Sequence, residues 1–148
     1  MTTDFLNGSK IQDGMTINEI CHSAITTSDT GAMNVIIKKL GGKEKLNDFT
    51  KTLNNNILSS ENGWYTKPYS KNQQDIFTST PKQMILSLKK ISLENTLNKS
   101  FKELIVSYLI DSKTGGNRIK AGTPSNWLVG NKTGSGSSNG TTNDIAII

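Results

Sequence analysis

The sequence predicts an α+β fold, with a mainly helical part over residues 1–113 and part of an antiparallel sheet over residues 114–148. Before residue 113, apolar residues recur at helical spacing behind helix-capping signals. Near the C-terminus, the apolar runs Trp127–Gly130 and Ile145–Ile148 flank a segment rich in Gly, Ser, Asn and Thr, which indicates two paired strands. Within the helical part, residues 54–79 show no periodicity, and loops of that length are often functional.

Length and composition indicate one ordinary globular domain. The chain has 148 residues, of which 33% are hydrophobic and 20% charged, so it is long enough for a real core. The formal net charge is +5, but the lysines are spread over several segments and Arg118 is the single arginine. Nucleic-acid binders concentrate basic charge and use arginine heavily. We therefore predict no nucleic-acid partner, while an anionic ligand remains open.

Single residues of chemical interest are explained by structural roles. One cysteine, Cys21, excludes an internal disulfide and is expected to be a small buried residue on a helix. The one histidine, His22, has no obvious partner in the sequence, so a structural or surface role is expected. No run of 18 apolar residues exists, which predicts no transmembrane helix. Residues Met1–Lys10 lack a basic region followed by an apolar stretch, which predicts no signal peptide there.

Three short helices are predicted in the first part of the chain. Thr16–Glu19 is a capping box that opens a helix ending at about Ile25. A second helix is predicted over Gly31–Leu40, where the following glycine pair is a typical C-terminal signal. A third covers roughly Lys43–Leu53. Short joins between them predict a helical subdomain.

Two more helices follow the long loop. Thr80 as N-cap and Pro81 at the first position start the fourth helix. Its predicted buried stripe consists of Met84, Ile85, Leu88 and Ile91. A second capping box, Ser100–Glu103, is expected to open a fifth helix that runs to about Asp111. The side chains expected to be buried there are Phe101, Leu104, Ile105, Tyr108 and Leu109.

The chemically informative stretch is Lys132-Thr133-Gly134, on the first predicted strand. A strand can hold this cation and hydroxyl on a rigid edge, and the glycine lets a substrate approach the backbone closely. Alone the triplet is a weak signal, because three common residues recur by chance. Two further elements accompany it: Ser28-Asp29-Thr30 between two helices, and Thr114–Arg118 in a loop.

Taken together, these elements resemble the class A serine β-lactamases, part of the penicillin-recognising serine enzymes, which carry S-x-x-K, S-D-N and K-T-G. The flanking sequence is similar too, and the resemblance covers essentially the whole chain. The matching stretches are Gly14–Cys21, Ser28–Asn34, Ile36–Gly42, Ala121–Trp127 and Lys132–Gly136. The resemblance implies a helical subdomain against an antiparallel sheet, with the site in the cleft between them, and a periplasmic or secreted location.

The resemblance also implies roles in an acyl-serine reaction, in which a serine attacks a strained lactam carbonyl. Ser28 would deliver a proton to the leaving nitrogen. Lys132 would ease that proton movement and attract the substrate carboxylate, which Thr133 would hydrogen-bond. Arg118 would reinforce this anion site bidentately. The backbone N–H of Ser135 would be one donor of the oxyanion hole.

Four further residues belong to the implied site. Gly134 would lie against the substrate, and Thr30 would contact it in place of the asparagine of S-D-N, although threonine is shorter and has no amide. Asp29 would orient the turn, and Asn34 would brace the long loop.

Each residue also has a simpler explanation when taken alone. Ser28 or Asp29 could only cap a helix, which is what Ser-Asp before a helix usually does. Arg118 could be a surface cation, and Lys132 and Thr133 could be ordinary strand residues. Their order and flanking sequence together favour the family interpretation.

The chain departs from the family at the nucleophile. The letters S-x-x-K occur at Ser87–Lys90, but after the S-D-x element instead of before it and on an expected helix surface, so we interpret them as a chance match. We expect the family's nucleophile helix to lie upstream of this chain, and its last strand and C-terminal helix beyond Ile148.

A second departure concerns the deacylating loop, which in the family carries R-x-E-x-x-x-N before the T-x-P turn. Those positions fall on Asn62, Trp64 and Pro68, with Glu61 out of register. A carboxylate that would activate the hydrolytic water is therefore predicted to be missing.

The function predicted is β-lactam hydrolysis through an acyl-serine, with this chain inactive alone for lack of the nucleophile. Two alternatives stay open: a penicillin-binding or D-Ala-D-Ala peptidase relative, and a non-catalytic remnant of a split or truncated gene. Expected partners are a β-lactam or peptidoglycan-like small molecule and a complementary chain that supplies the nucleophile helix. We expect no cofactor, no metal and no membrane partner.

Overall fold

The computed structural model describes residues 14–53, 79–136 and 140–148. Over these residues the fold is α+β, as predicted, and its helices and strands follow one another in two groups. The helices are α1 (Ile17–Thr26), α2 (Thr30–Leu40), α3 (Lys43–Thr52), α4 (Pro81–Ser92) and α5 (Lys99–Ile110). A short 3₁₀ helix, Ile119–Gly122, precedes the antiparallel strands β1 (Gly130–Gly136) and β2 (Thr141–Ile147).

Side-chain caps set the starts of α1, α2, α4 and α5. The capping box at Thr16 is confirmed, with the Glu19 carboxylate accepting from the Thr16 backbone N–H at 2.7 Å. Thr80 caps α4 with Pro81 in its first turn, also as predicted. Gly41 ends α2 in the left-handed conformation (φ 96°), which glycine adopts without steric cost. Local sequence therefore determines where these three helix ends lie.

The predicted start of α5 was wrong. Its N-cap is Asn98, whose side-chain oxygen accepts a hydrogen bond from the Phe101 backbone N–H at 3.0 Å. Asn98 has the extended backbone that an N-cap requires (φ −65°, ψ 164°), so Ser100 already lies inside the first turn.

Two residues expected in the core are exposed: Phe101 by 56% and Ile85 by 62%. Phe101 lies in the first turn of α5, about 10 Å along the helix from Tyr108, which packs against α1. At 100° per residue, Ile85 lies at the edge of the α4 face that contains the buried Leu88. Both are hydrophobic, but neither lies where its helix meets a neighbour.

The core between the first two helices positions the site. Ile20 on α1 packs with Ala32 and Val35 on α2. Beyond the end of α5, the Lys113 backbone N–H donates to the Thr26 carbonyl at 2.8 Å, which ties the end of α1 to the segment that leads towards the sheet. The division predicted at residue 113 stays a prediction.

The sheet packs closely on α5 through Gly130. A Cβ built there would lie 2.9 Å from the Ile110 backbone nitrogen and 2.9 Å from the Leu109 Cβ. In the sheet, Lys132 pairs with Ile145 and Gly136 with Thr141. This antiparallel pairing confirms the predicted partial sheet.

The predicted position of the first strand needs a correction. Trp127 and Leu128 are 53% and 68% exposed and precede β1, which begins only at Gly130. The Trp127 backbone N–H donates to the Pro124 carbonyl at 3.0 Å, which closes a turn. Proline restricts the backbone around it and favours a turn over a strand at this point.

Asp29 holds the α1–α2 junction, and its replacement should destabilise the protein. Its Oδ1 accepts from the Ala32 N–H at 2.9 Å, and its Oδ2 accepts from the Ser23 hydroxyl at 3.4 Å. We expect Asp29→Ala to lower the free energy of unfolding in urea by about 1–2 kcal/mol. Asp29→Asn retains a capping oxygen and should lose markedly less. Equal losses of unfolding free energy in Asp29→Ala and Asp29→Asn would show that the carboxylate charge, and not the capping hydrogen bond, stabilises this junction.

Candidate active site

Ser28 and Lys132 meet although 104 positions separate them in the chain: Lys132 Nζ donates to Ser28 Oγ at 2.6 Å. Ser28 is exposed and is the one described non-glycine residue with positive φ (56°). It directly precedes Asp29, the N-cap of α2, whose own N–H donates back to the Ser23 carbonyl at 3.4 Å. The tight junction between α1 and α2 therefore presents the serine hydroxyl to strand β1.

Lys132 lies half-buried on β1, and it also donates to the Thr133 carbonyl at 2.7 Å. Burial lowers the pKa of Lys132 below its ordinary value, because desolvation disfavours the ammonium form. The nearby Asp144 carboxylate on β2 opposes this shift by attracting the positive charge. Lys132 therefore loses its proton at a lower pH than an exposed lysine would.

Behind the lysine, a hydrogen-bonded cluster joins β1 to the loop before Arg118. The Thr133 hydroxyl donates to the Thr114 hydroxyl at 2.9 Å. Asn131, fully buried, donates to the Thr114 carbonyl at 3.1 Å and to Asp144 Oδ1 at 2.9 Å. Asp144 Oδ2 accepts from the Ile119 N–H at 3.2 Å. These contacts hold β1, β2 and the loop in one register.

Arg118 reaches the same strands, but its described hydrogen bonds go to the protein. It donates to the Asn143 carbonyl at 2.5 Å and to the Ser135 hydroxyl at 3.0 Å. The guanidinium therefore lies against the ends of β1 and β2 near Ser135. The structure brings it beside residues of the predicted anion site; its role towards an anion stays a prediction.

The remaining predicted site residues lie on the same elements. Gly134 is exposed on β1, where an added Cβ would meet only Asn143 at 3.9 Å. Thr30 is the exposed first residue of α2, and Asn34 is half-buried one turn later. The loop that Asn34 was predicted to brace falls outside the described residues. The same holds for the three positions of the deacylating motif, Asn62, Trp64 and Pro68, and for the out-of-register Glu61.

Sequence reasoning missed Thr114, Asn131 and Asp144 as parts of the site. Thr114 was visible only as the start of a polar loop. Asp144 was the available signal, because it is the only charged residue of β2 and a charged residue that becomes partly buried in a strand needs a partner.

The S-x-x-K pattern also needs correction. A second match, Ser79–Lys82, lies at the start of α4, where Ser79 immediately precedes the N-cap and is exposed. Ser87, which was expected on a helix surface, is buried. Both matches follow Ser28 in the chain, which is the reverse of the order in the family.

His22 has partners that the sequence did not reveal. Its Nε2 lies 3.5 Å from Asp111 Oδ2, and its ring meets the Tyr108 ring edge-on at 5.1 Å between centroids. These contacts join α1 to α5, so they give the histidine a structural role. Cys21 is only half-buried.

The lowered pKa of Lys132 should be visible as a pH dependence of stability. At pH values between the pKa of Lys132 in the folded protein and its ordinary value of 10.5, Lys132 binds a proton in the unfolded chain more often than in the folded one. In this pH range the free energy of unfolding therefore rises with pH. Below the folded pKa, the full penalty of burying the ammonium is present. We expect Lys132→Met to remove this rise in urea titrations at successive pH values.

The comparison is with the native chain, because burial raises the pKa values of Tyr108 and Cys21 and these groups also make the stability depend on pH. The control is Lys113→Met, which removes an exposed lysine near the site. An identical pH profile for Lys132→Met and the native chain would contradict the expected shift.

Among the described residues, no helix is long and apolar enough to cross a membrane. No cluster of three or more His, Cys, Asp or Glu side chains suited to a metal ion occurs in the same part of the chain.

Comparison with known proteins gives one consistent result. The family model described as "Beta-lactamase enzyme family" matches residues 1–148. The OXY-2 β-lactamase of Klebsiella oxytoca is 38% identical over 138 residues, which cover 93% of this chain and 47% of that protein. The chain thus spans about half the length of the curated relatives it matches.

Solved structures agree with this. The structure of a β-lactamase from Streptosporangium roseum is 34% identical with a TM-score of 0.85, over 99% of this chain and 57% of that one. The class A β-lactamase of the last common ancestor of Gram-negative bacteria is 38% identical with a TM-score of 0.79, over 90% of this chain and 51% of that one.

Proposed function

The chain belongs to the β-lactamase enzyme family, and we propose that its site forms the substrate-holding and proton-delivering wall of a class A β-lactam hydrolase. The observation that carries this proposal is the 2.6 Å contact between Ser28 Oγ and Lys132 Nζ. It joins a hydroxyl that can relay a proton to the cation that lowers the cost of that relay.

In the proposed reaction, a serine supplied by another polypeptide segment attacks the lactam carbonyl. The attacking hydroxyl gives its proton to the lysine of its own S-x-x-K motif as the acyl–oxygen bond forms. The ring C–N bond then breaks, the leaving nitrogen takes a proton from the Ser28 hydroxyl, and the proton held by that lysine restores the Ser28 hydroxyl. Lys132, which is hydrogen-bonded to Ser28, stabilises the charge that develops during this proton transfer.

The substrate carboxylate would lie against β1. Thr133 and Lys132 are adjacent on that strand, and Arg118 is held nearby by Ser135. The exposed Gly134, where an added Cβ would meet only Asn143 at 3.9 Å, leaves room for the substrate beside the strand.

We further propose that the 148-residue chain turns over β-lactams only when a second polypeptide provides the S-x-x-K helix. The test is nitrocefin hydrolysis by the purified chain, alone and mixed with the segments of OXY-2 that lie outside the region of OXY-2 that this chain matches. Alone, the rate should equal the buffer rate; in the mixture it should rise by at least about 100-fold. Turnover by the chain alone at an ordinary β-lactamase rate would refute the proposal.

One departure favours a second candidate, a penicillin-binding or peptidase relative. Trp64 occupies the position at which the family has the glutamate that activates the hydrolytic water. In that case the mixture would form a long-lived acyl adduct, visible by intact-protein mass spectrometry, with little turnover. No adduct and no turnover in a mixture that folds would indicate a non-catalytic remnant.

A further inference from the structure

The turn that presents Ser28 has the features of a serine that is itself a nucleophile. The residue is exposed, its φ of 56° is unusual for a residue with a side chain, and a lysine nitrogen lies 2.6 Å from its hydroxyl. Backbone held in this region is costly and clusters at functional sites. In α/β-hydrolases the nucleophilic serine lies on a sharp, strained turn beside its base. In other serine enzymes the base beside the serine is a lysine.

Lys132 is suited to act as that base. It is half-buried on a strand whose neighbours Asn131 and Thr133 are held by Thr114, so its position is well determined. Its lowered pKa increases the fraction of neutral amine. In the ammonium form it donates to Ser28 Oγ; in the amine form the same short contact lets Ser28 donate to the nitrogen.

We propose that Ser28 is an acyl acceptor in its own right, with Lys132 as its general base, towards carbonyl compounds that carry a good leaving group. This goes beyond the proton-delivering role, because it requires no S-x-x-K serine. It therefore stands independently of the proposed β-lactam hydrolysis.

With an activated ester such as p-nitrophenyl acetate, the step balances within the two residues. The Ser28 oxygen bonds to the acetyl carbon, and the bond from that carbon to p-nitrophenolate breaks. The hydroxyl proton passes to the Lys132 amine, and the phenolate leaves with the electron pair.

The acyl group should accumulate on the protein. The Asp144 carboxylate attracts the positive charge of Lys132 and already accepts hydrogen bonds from the Asn131 amide and the Ile119 N–H. It is therefore not placed to activate a water. We expect one acetyl group per chain, not continuous turnover.

The experiment is acetylation of the purified 148-residue chain at mildly alkaline pH, followed by intact mass measurement and peptide mapping. The expected result is a single acetyl group on Ser28, with a labelling rate that falls by about 100-fold in Ser28→Ala and in Lys132→Arg. Arginine keeps the charge but cannot accept a proton, so it separates a base from a mere cation. The rate should follow deprotonation of a group with a pKa below 10.5.

The matched control is Ser125→Ala, which removes another exposed serine and should leave labelling unchanged. Labels confined to lysines, or equal labelling of Ser28 in Lys132→Arg, would overturn the proposal. Mapping within the native chain decides the matter even if a variant fails to fold. Because the assay uses the chain alone, its failure would leave the nitrocefin result of the mixture unaffected.

Discussion

Lys132→Ala should lower nitrocefin turnover by the mixture of this chain and the flanking OXY-2 segments by about 10²–10⁴-fold. The variant removes the cation that lies 2.6 Å from the Ser28 hydroxyl, so the proton transfer to the leaving nitrogen loses its electrostatic support. It also removes half of the Lys132–Thr133 pair proposed to hold the substrate carboxylate. We therefore expect kcat to fall and KM to rise, measured from initial rates at a series of nitrocefin concentrations.

Two controls separate charge from position. Lys113→Ala removes the same charge from an exposed lysine next to Thr114, and its turnover should stay close to that of the native chain. Lys132→Arg restores the charge on β1, so KM should recover more than kcat. If Lys113→Ala lost as much activity as Lys132→Ala, the effect would come from the net charge of the chain, and the proposed contact would carry no function.

Two effects act on the charge of Lys132 in opposite directions. Burial makes the ammonium unfavourable, while Asp144 offsets part of that cost without forming a direct ion pair in the described residues. Asp144 is in turn held by Asn131 and the Ile119 N–H. Burial of the Lys132 ammonium therefore costs the protein some stability, as charged groups at functional sites commonly do.

Local signals in the sequence were sufficient for the starts of α1 and α4, but not for the start of α5 or the first residue of β1. Thr16 and Thr80 cap their helices through contacts three residues away, so neighbours in the chain contain the needed information. Lys132 and Ser28 could be paired only through resemblance to a family, because nothing local links residues 104 positions apart.

The parts that could not be predicted depend on distant packing. The exposure of Phe101 follows from where α5 meets its neighbours, and helical spacing alone cannot show that. The buried side chain of Asn131 depends on its hydrogen bonds to Thr114, which lies in a loop, and to Asp144, which lies on the paired strand. A polar residue beside a motif looks the same in sequence whether it faces solvent or a half-buried carboxylate.

Gly130→Ala should destabilise the protein and disturb the site together. The added Cβ would lie 2.9 Å from the Ile110 backbone nitrogen and 3.0 Å from the Leu109 carbonyl carbon, and backbone atoms cannot turn aside as a flexible side chain can. Strand β1 must move away from α5, at a cost of about 1–3 kcal/mol in the free energy of unfolding measured with urea. Gly130→Val should cost more, because its branches meet the same helix.

Position on the strand provides the control. Gly134→Ala makes the same change four residues later on β1, where the new Cβ would meet Asn143 at an ordinary 3.9 Å, so the loss should stay within about 0.5 kcal/mol. Because Lys132 lies two residues after Gly130, displacement of β1 would lengthen its contact with Ser28. Gly130→Ala should then also slow acetylation of Ser28 in the fraction that remains folded. An unfolding free energy equal to that of Gly134→Ala would show that α5 and β1 are less closely packed than the structure indicates.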